Sequence, residues 1–230
     1  MQQLLLPIHQ IDDETLTNFY GDNNLLLLNS LRQNFTQLQQ PFFYIWGGQS
    51  SGKTHLLKAV TNEFLRRQRT AIYVPLDKSQ YFSPEVLDNL EQQEAVCLDD
   101  LEQVISKPEW ELAIFDLINR IRETGNTLLL VSAAQPPNSL TIQLPDLRSR
   151  LNWGEIYQLE SLTDEQKMSV LQQNAHQRGI ELPLETANFL FKRLDRDMHT
   201  LFAALEQLDH ASLQAQRKLT IPFVKETLNL

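Results

Sequence analysis

An α/β fold is predicted by three features of the 230-residue sequence. Short apolar runs alternate with helix-like stretches through the first two-thirds, a glycine-rich phosphate-loop motif follows the first strong run directly, and strand-like patterning stops after Leu159. Alternation of this kind belongs to a parallel sheet with helical crossovers. The expected architecture is a five-stranded parallel core at 16–160, preceded by a tail at 1–15 and followed by a small all-helical domain at 161–230.

The tail opens with "QQLLLPI" at 2–8, which is unusual in an acidic chain. A secretion signal needs a positive start and an apolar stretch of about 7 residues or more. Here the first Lys or Arg is Arg32, so the tail is not read as one. Two readings stand: the first strand of a sheet, or a short linear motif that docks on a partner. The strand candidates are Phe42–Trp46, Ala71–Pro75, Ala95–Leu98, Thr127–Ser132 and Glu155–Leu159. Each is short and nearly continuous in its apolar character, as strands buried on both faces are. "PEWELAIFDLINRIRETG" carries a helical stripe at 110, 113, 114, 117, 118 and 121, punctuated by Pro108 and Gly125. After Leu159, Thr163 and Gln166 fit a capping box opening a helix that Gly179 closes. Pro183–Leu194 and Asp197–Gln216 read as two further amphipathic helices, and Pro222 lies in the first turn of a short last one.

Composition narrows the function. Net charge is −9; residues 1–160 hold 12 Lys and Arg against 20 Asp and Glu, and 161–230 hold 8 against 9. Neither part has the basic excess that displaces counterions from duplex DNA, so direct sequence-specific DNA binding is not expected. No apolar run approaches the roughly 18 residues of a membrane span. Cys97 is the lone cysteine, which points to a reducing cytoplasm, and the histidines form no cluster with metal-ligand spacing, so zinc is not expected.

The chemistry lies in "GGQSSGKT", Gly47, Gly48, Gln49, Ser50, Ser51, Gly52, Lys53 and Thr54, a full match to G-x-x-x-x-G-K-[ST]. Small residues let successive backbone N–H groups curl around a phosphate, and a helix starting near Lys53 aims its N-terminus at the same anion. Lys53 would reach the β- and γ-phosphates, and the Thr54 hydroxyl would ligate Mg²⁺. "AVCLDD" ends a strand in Asp99, placing a carboxylate at the carboxyl end of the sheet where the metal sits, to bind Mg²⁺ directly or through its water, with Asp100 as an orienter of water. Paired acids at a strand end are also found in simple turns.

"GKTHL" (which adds His55 to the loop), the acidic "DD", "LPDLRSRLNWG" and a helical lid together resemble the AAA+ domain of the bacterial replication initiator DnaA. "FYGDNN", with Asp22 and Asn23, is similar to the family segment that lies against the adenine. "YVPLDK", "WELAIFDLINRI" and "AQRKLTIPFVKE" resemble the stand-alone regulatory members of that family, and the similarity runs from Gln3 onward. The resemblance implies an AAA+ P-loop NTPase fold, with ADP favoured over ATP as the adenine nucleotide, and Mg²⁺. It also implies a protein that binds the DNA-loaded sliding clamp, the β subunit of DNA polymerase III, meets ATP-charged DnaA and promotes hydrolysis of that ATP. Gln3, Leu4, Leu6, Pro7 and Ile8 then resemble the clamp-binding motif, apolar side chains that become useful when a partner buries them. A homo-oligomer is left open.

Departures from the family matter as much. The position that senses the γ-phosphate matches Ala134, whose methyl group cannot hydrogen-bond, with Ser132 as the alternative register. The lid arginine facing the phosphates matches His199, which is open to a nucleotide-facing or a plain surface role; Arg196 lies three positions away. Arg148 and Arg150 are expected on a loop after the sensor strand, and Arg150 matches the family's arginine finger, which reaches a neighbour's nucleotide; an ordinary salt bridge is the other reading. The expected function is therefore negative regulation of replication initiation with weak ATPase activity of its own. An autonomous ATPase and a helicase-loader-like protein are the alternatives, the latter requiring basic grooves with stacking aromatics. With no helix-turn-helix stretch after the lid in this sequence, the DNA-reading initiator itself is not the expected match.

Overall fold

The computed structural model describes residues 14–20 and 24–230. The chain divides into two compact units, the first ending at Glu160 and the second spanning Ser161–Leu230.

The first unit is built on strands β1 (Phe42–Trp46), β2 (Ala71–Pro75), β3 (Ala95–Asp99), β4 (Leu128–Ala133) and β5 (Glu155–Gln158). They form one sheet in the order β2-β3-β4-β1-β5, parallel throughout. All five predicted strands are present, two with the predicted bounds and three with ends shifted by a residue. Two-fold alternation along the strands divides the core into two layers. On one face Phe42, Tyr44, Val96, Leu98, Leu129 and Val131 pack with helices α3 (Pro108–Thr124) and α4 (Pro145–Leu151). On the other, Phe43, Ile45, Cys97 and Leu130 pack with α1 (Leu25–Asn34) and α2 (Lys53–Arg66). Burial on both faces is why the central strands read as unbroken apolar runs. The edge strand β5 alternates between partly buried and exposed residues instead.

Helix α3 runs as its stripe predicts: Pro108 occupies the first turn, and Gly125 ends it in the left-handed conformation. Glu14 and Thr15, read as tail, are bonded to α2: Glu14 pairs with Lys58 at 2.8 Å, and the Glu14 carbonyl accepts from Asn62 at 3.0 Å. One expectation is corrected. Arg148 and Arg150 lie on helix α4 rather than on a loop, because Pro145 fits the first turn and Leu147 and Leu151, four apart, are both buried.

The second unit packs α5 (Asp164–Gln177), α6 (Leu184–Arg193), α7 (Met198–Ala215) and α8 (Ile221–Leu228) around Leu171, Leu190, Leu201, Leu205 and Val224. The capping box is formed: Gln166 N–H donates to the Thr163 hydroxyl, and Thr163 N–H donates to the Gln166 side chain at 2.9 Å. No helix among the described residues is long and apolar enough to cross a membrane.

Candidate functional site

Between β1 and α2 the chain makes the predicted phosphate loop, at the carboxyl end of the central strand pair. Its first residue is tied to the neighbouring strand end, Gly47 N–H donating to the Ala133 carbonyl at 3.2 Å. A Cβ on Gly47 would lie 2.7 Å from both the Leu159 carbonyl oxygen and the Ser51 hydroxyl, so only glycine fits there. Gly52 holds φ +96 at the N-cap of α2, a conformation a side chain resists. Lys53 is buried, and its ammonium donates to the carbonyls of Gly47 at 3.0 Å and Gly48 at 3.1 Å. It is thereby held across the mouth of the loop. Gly48, Gln49, Ser50 and Thr54 are exposed.

The loop has what an anion requires. The Ser51 hydroxyl is buried with no hydrogen-bond partner among the described residues, an arrangement that costs free energy unless a ligand satisfies it. The α2 N-terminus supplies N–H groups at the same place. For a cation, the donors are the Thr54 hydroxyl and the Asp99 carboxylate. Among the described residues no group of three or more His, Cys, Asp or Glu could hold a metal. An ion here would draw its other oxygens from phosphate and water, which is the manner of Mg²⁺.

Asp99 is buried, and both its oxygens accept hydrogen bonds: one from the Ser132 hydroxyl, the other from the Tyr73 hydroxyl at 2.7 Å. The Ser132 oxygen in turn accepts from Asp100 N–H at 2.9 Å. Tyr73, Asp99 and Ser132 project from three adjacent strands on the α2 face of the sheet. Sequence reading gave Tyr73 no role and Ser132 only an alternative one, although strand alternation places all three together. Beside the neutral donors, the Asp99 charge helps burial to push the Tyr73 hydroxyl far above its usual range. Asp100 is half-buried, with φ 58. Burial, then the Asp99 and Glu102 carboxylates, raise its carboxyl to about 6, against the opposing pull of Lys53.

The segment before α1 meets α2 at His55, whose Nε2 lies 3.2 Å from the Thr15 carbonyl and whose ring Phe19 meets edge-to-face at 5.5 Å. Phe19 also faces Gly52, where an added Cβ would come within 3.2 Å of its ring. Asp22 and Asn23 lie outside the described residues, as do Gln3, Leu4, Leu6, Pro7 and Ile8.

Arg150 is partly buried on α4, its Nε donating to the Asn119 side-chain oxygen at 2.7 Å and its guanidinium 5.6 Å from the Phe115 ring centre. It forms no salt bridge among the described residues. Arg148 donates to the carbonyls of Leu140 and Ile142, both at 3.4 Å. In the second unit, His199 is exposed in the first turn of α7, its backbone N–H capped by Asp197 at 2.8 Å. Arg196 precedes that helix and pairs with Asp164.

A parallel sheet of this order, carrying a phosphate loop after β1 and followed in sequence by a helical lid, defines an AAA+ protein of the P-loop class. Residues 19–158 match the family model of the bacterial DnaA ATPase domain, and residues 164–228 match that of the lid domain of Hda. The chain belongs to the DnaA family, with a lid of the Hda type. It is 72% identical over 229 residues to an uncharacterized protein of Haemophilus influenzae, covering 100% of this chain and 99% of that protein. Domain III of Thermotoga maritima DnaA superposes with a TM-score of 0.77 at 20% identity, covering 94% of this chain and 96% of the other. AMPPCP-bound DnaA from Aquifex aeolicus gives 0.71 at 20% identity, over 92% of this chain and 68% of that one. The resemblance read from the motifs and the AAA+ fold are both borne out.

Proposed function

We propose that the protein restrains replication initiation by acting on DnaA: held at the DNA-loaded sliding clamp, it supplies Arg150 in trans to ATP bound by DnaA and so promotes its hydrolysis. The observation that carries this reading is the setting of Arg150. It stands on a short surface helix, oriented by Asn119 and Phe115 and with no carboxylate partner among the described residues. A planar guanidinium so held is suited to a phosphoryl group that another molecule presents.

The protein's own site is assigned an adenine nucleotide in the loop of Gly47 to Thr54, a reading supported by the AMPPCP-bound state of the Aquifex relative, and ADP is preferred to ATP. Lys53 and the α2 N-terminus hold the phosphates, and Phe19, His55, Asp22, Asn23 and His199 are assigned to the nucleotide on the family resemblance alone. Thr54 and Asp99 would hold Mg²⁺, which when bound neutralises phosphate charge. Own turnover is slow, because Ala134 and His199 replace the side chains that would grip a terminal phosphate. The tail residues Gln3, Leu4, Leu6, Pro7 and Ile8 dock on the clamp, and the cytoplasm is the compartment where these partners meet. The test is hydrolysis of DnaA-bound ATP with clamp loaded on DNA. Stimulation is expected on adding this protein; an unchanged rate overturns the reading.

A second reading, an autonomous ATPase, is favoured by the intact set Lys53, Thr54, Asp99 and Asp100, with both acids at the end of β3 beside the loop. Steady turnover by the purified protein alone would support it.

A further inference from the structure

The peptide joining Ala133 to Ala134, at the end of β4, is held from both sides. Its carbonyl accepts from Gly47 N–H of the phosphate loop at 3.2 Å, and its N–H donates to Glu102 Oε2 at 3.1 Å. Carbonyl and N–H of a trans peptide point in opposite directions. The loop and the Glu102 carboxylate therefore flank the end of β4, as the sheet order β3-β4-β1 requires.

Glu102 is well fixed. It sits on a single 3-10 turn, Leu101–Gln103, anchored by its first residue Leu101 and by Val104 just after it, both fully buried. Gln103 N–H donates to the Asp100 carbonyl at 3.0 Å, and Val104 N–H to the Leu101 carbonyl at 3.1 Å. The side chain is partly buried, and its charge helps raise the Tyr44 hydroxyl, which lies on β1 and bonds the Gln135 carbonyl at 2.7 Å. Its field thus covers the strand ends that a terminal phosphate would approach.

We infer that Glu102 sets the number of phosphates this site accepts: its carboxylate, clipped to the peptide against which the phosphate loop leans, disfavours a terminal phosphate and selects a nucleoside diphosphate. The inference rests on the nucleotide-binding reading above. A diphosphate lies within the loop N–H groups and Lys53. A third phosphate adds negative charge toward the end of β4, where Ala134 has no side-chain donor and its N–H is already committed to Glu102. A partly buried carboxylate repels that added charge, and at the end of β4 no side-chain donor of Ala134 offsets it beyond what Lys53 supplies to both nucleotides.

Calorimetry with ADP and with AMPPCP, each in Mg²⁺ and in EDTA, tests this on the full chain. Glu102→Gln keeps an oxygen for the Ala134 N–H while removing the charge, and Glu102→Ser gives a second, smaller replacement. In both variants the preference for ADP over AMPPCP should fall about ten-fold, with ADP affinity held within about two-fold, as removal of one like charge predicts. The same change should appear in EDTA. An unaltered preference overturns the inference and leaves nucleotide binding standing. So does a loss of AMPPCP affinity confined to Mg²⁺, which would make Glu102 a servant of the cation. If the unaltered protein binds neither nucleotide, the nucleotide reading fails and takes the inference with it.

Discussion

Replacing Glu111 should loosen the part of the fold that carries Arg150, and the size of the effect follows from its contacts. The Glu111 side chain on α3 is 1% exposed. Its carboxylate accepts backbone N–H bonds from Ser106 at 2.8 Å, from Gln143 at 3.0 and 3.1 Å, and from Leu144 at 2.7 Å. Leu144 is the N-cap residue of α4. Hydrogen bonds to a charged acceptor contribute roughly 1.5–3 kcal/mol each, but those sharing one acceptor do not add. Ser106 and Gln143 are also exposed, so water recovers part of the loss. Glu111→Ala should therefore cost about 2–4 kcal/mol, and Glu111→Gln about 1–2 kcal/mol, since an amide keeps one oxygen while its NH₂ faces donors. Urea unfolding followed by tryptophan fluorescence reads the first unit selectively, because Trp46, Trp110 and Trp153 all lie in it. A loss below about 0.5 kcal/mol in the alanine variant, the range of an ordinary surface change, would refute this account of how α4 is held.

Lys53→Ala should weaken ADP binding, because it deletes the cation aimed at the phosphates; unchanged affinity by calorimetry would remove the loop from the site. Alanine at Gln3, Leu6 and Ile8 together should abolish clamp binding and leave the melting temperature nearly unchanged, whereas a large drop would make the tail a structural strand. Burial pushes the Cys97 thiol up to about 12, so it should resist alkylation at pH 8 until the protein unfolds. Because the folded thiol keeps its proton where the unfolded one loses it, stability should fall as pH rises from about 9 toward 12. Rapid labelling of the native protein would contradict that burial.

The sheet was legible because its strands lie under helices on both sides and so needed almost every side chain to be apolar. The phosphate loop was legible for a different reason: close approach and positive φ restrict the backbone to glycine at Gly47 and Gly52. Helix α1 was missed. Its four consecutive leucines hide the period, since Leu27 and Leu28 are buried while Leu25 and Leu26 are exposed, and its N-cap Asn24 spends its side chain on Glu160 N–H at 3.1 Å. The helical state of Arg148 and Arg150 was within reach, in Pro145 and the spacing of Leu147 and Leu151, but seven residues carry little periodic signal. Tyr73 joins Asp99 through a hydroxyl at the far end of a long side chain, and alternation alone fixes a face without fixing reach. Glu102 carries no motif, and its role depends on a single backbone N–H.

The central claim is that Arg150 acts on a phosphate this chain does not hold. Hydrolysis of DnaA-bound ATP, measured with clamp on DNA in the presence of Arg150→Ala, tests it most directly. An arginine supplied in trans is worth roughly 10³–10⁵ in rate in related phosphate-loop systems, so stimulation should be lost. Arg150→Lys should also be poor, because it keeps the charge without the planar fork, and both variants should still fold, hold nucleotide and bind the clamp. If Arg150→Ala stimulates DnaA as well as the unaltered protein does, the trans-acting mechanism is wrong and Arg148 becomes the next candidate.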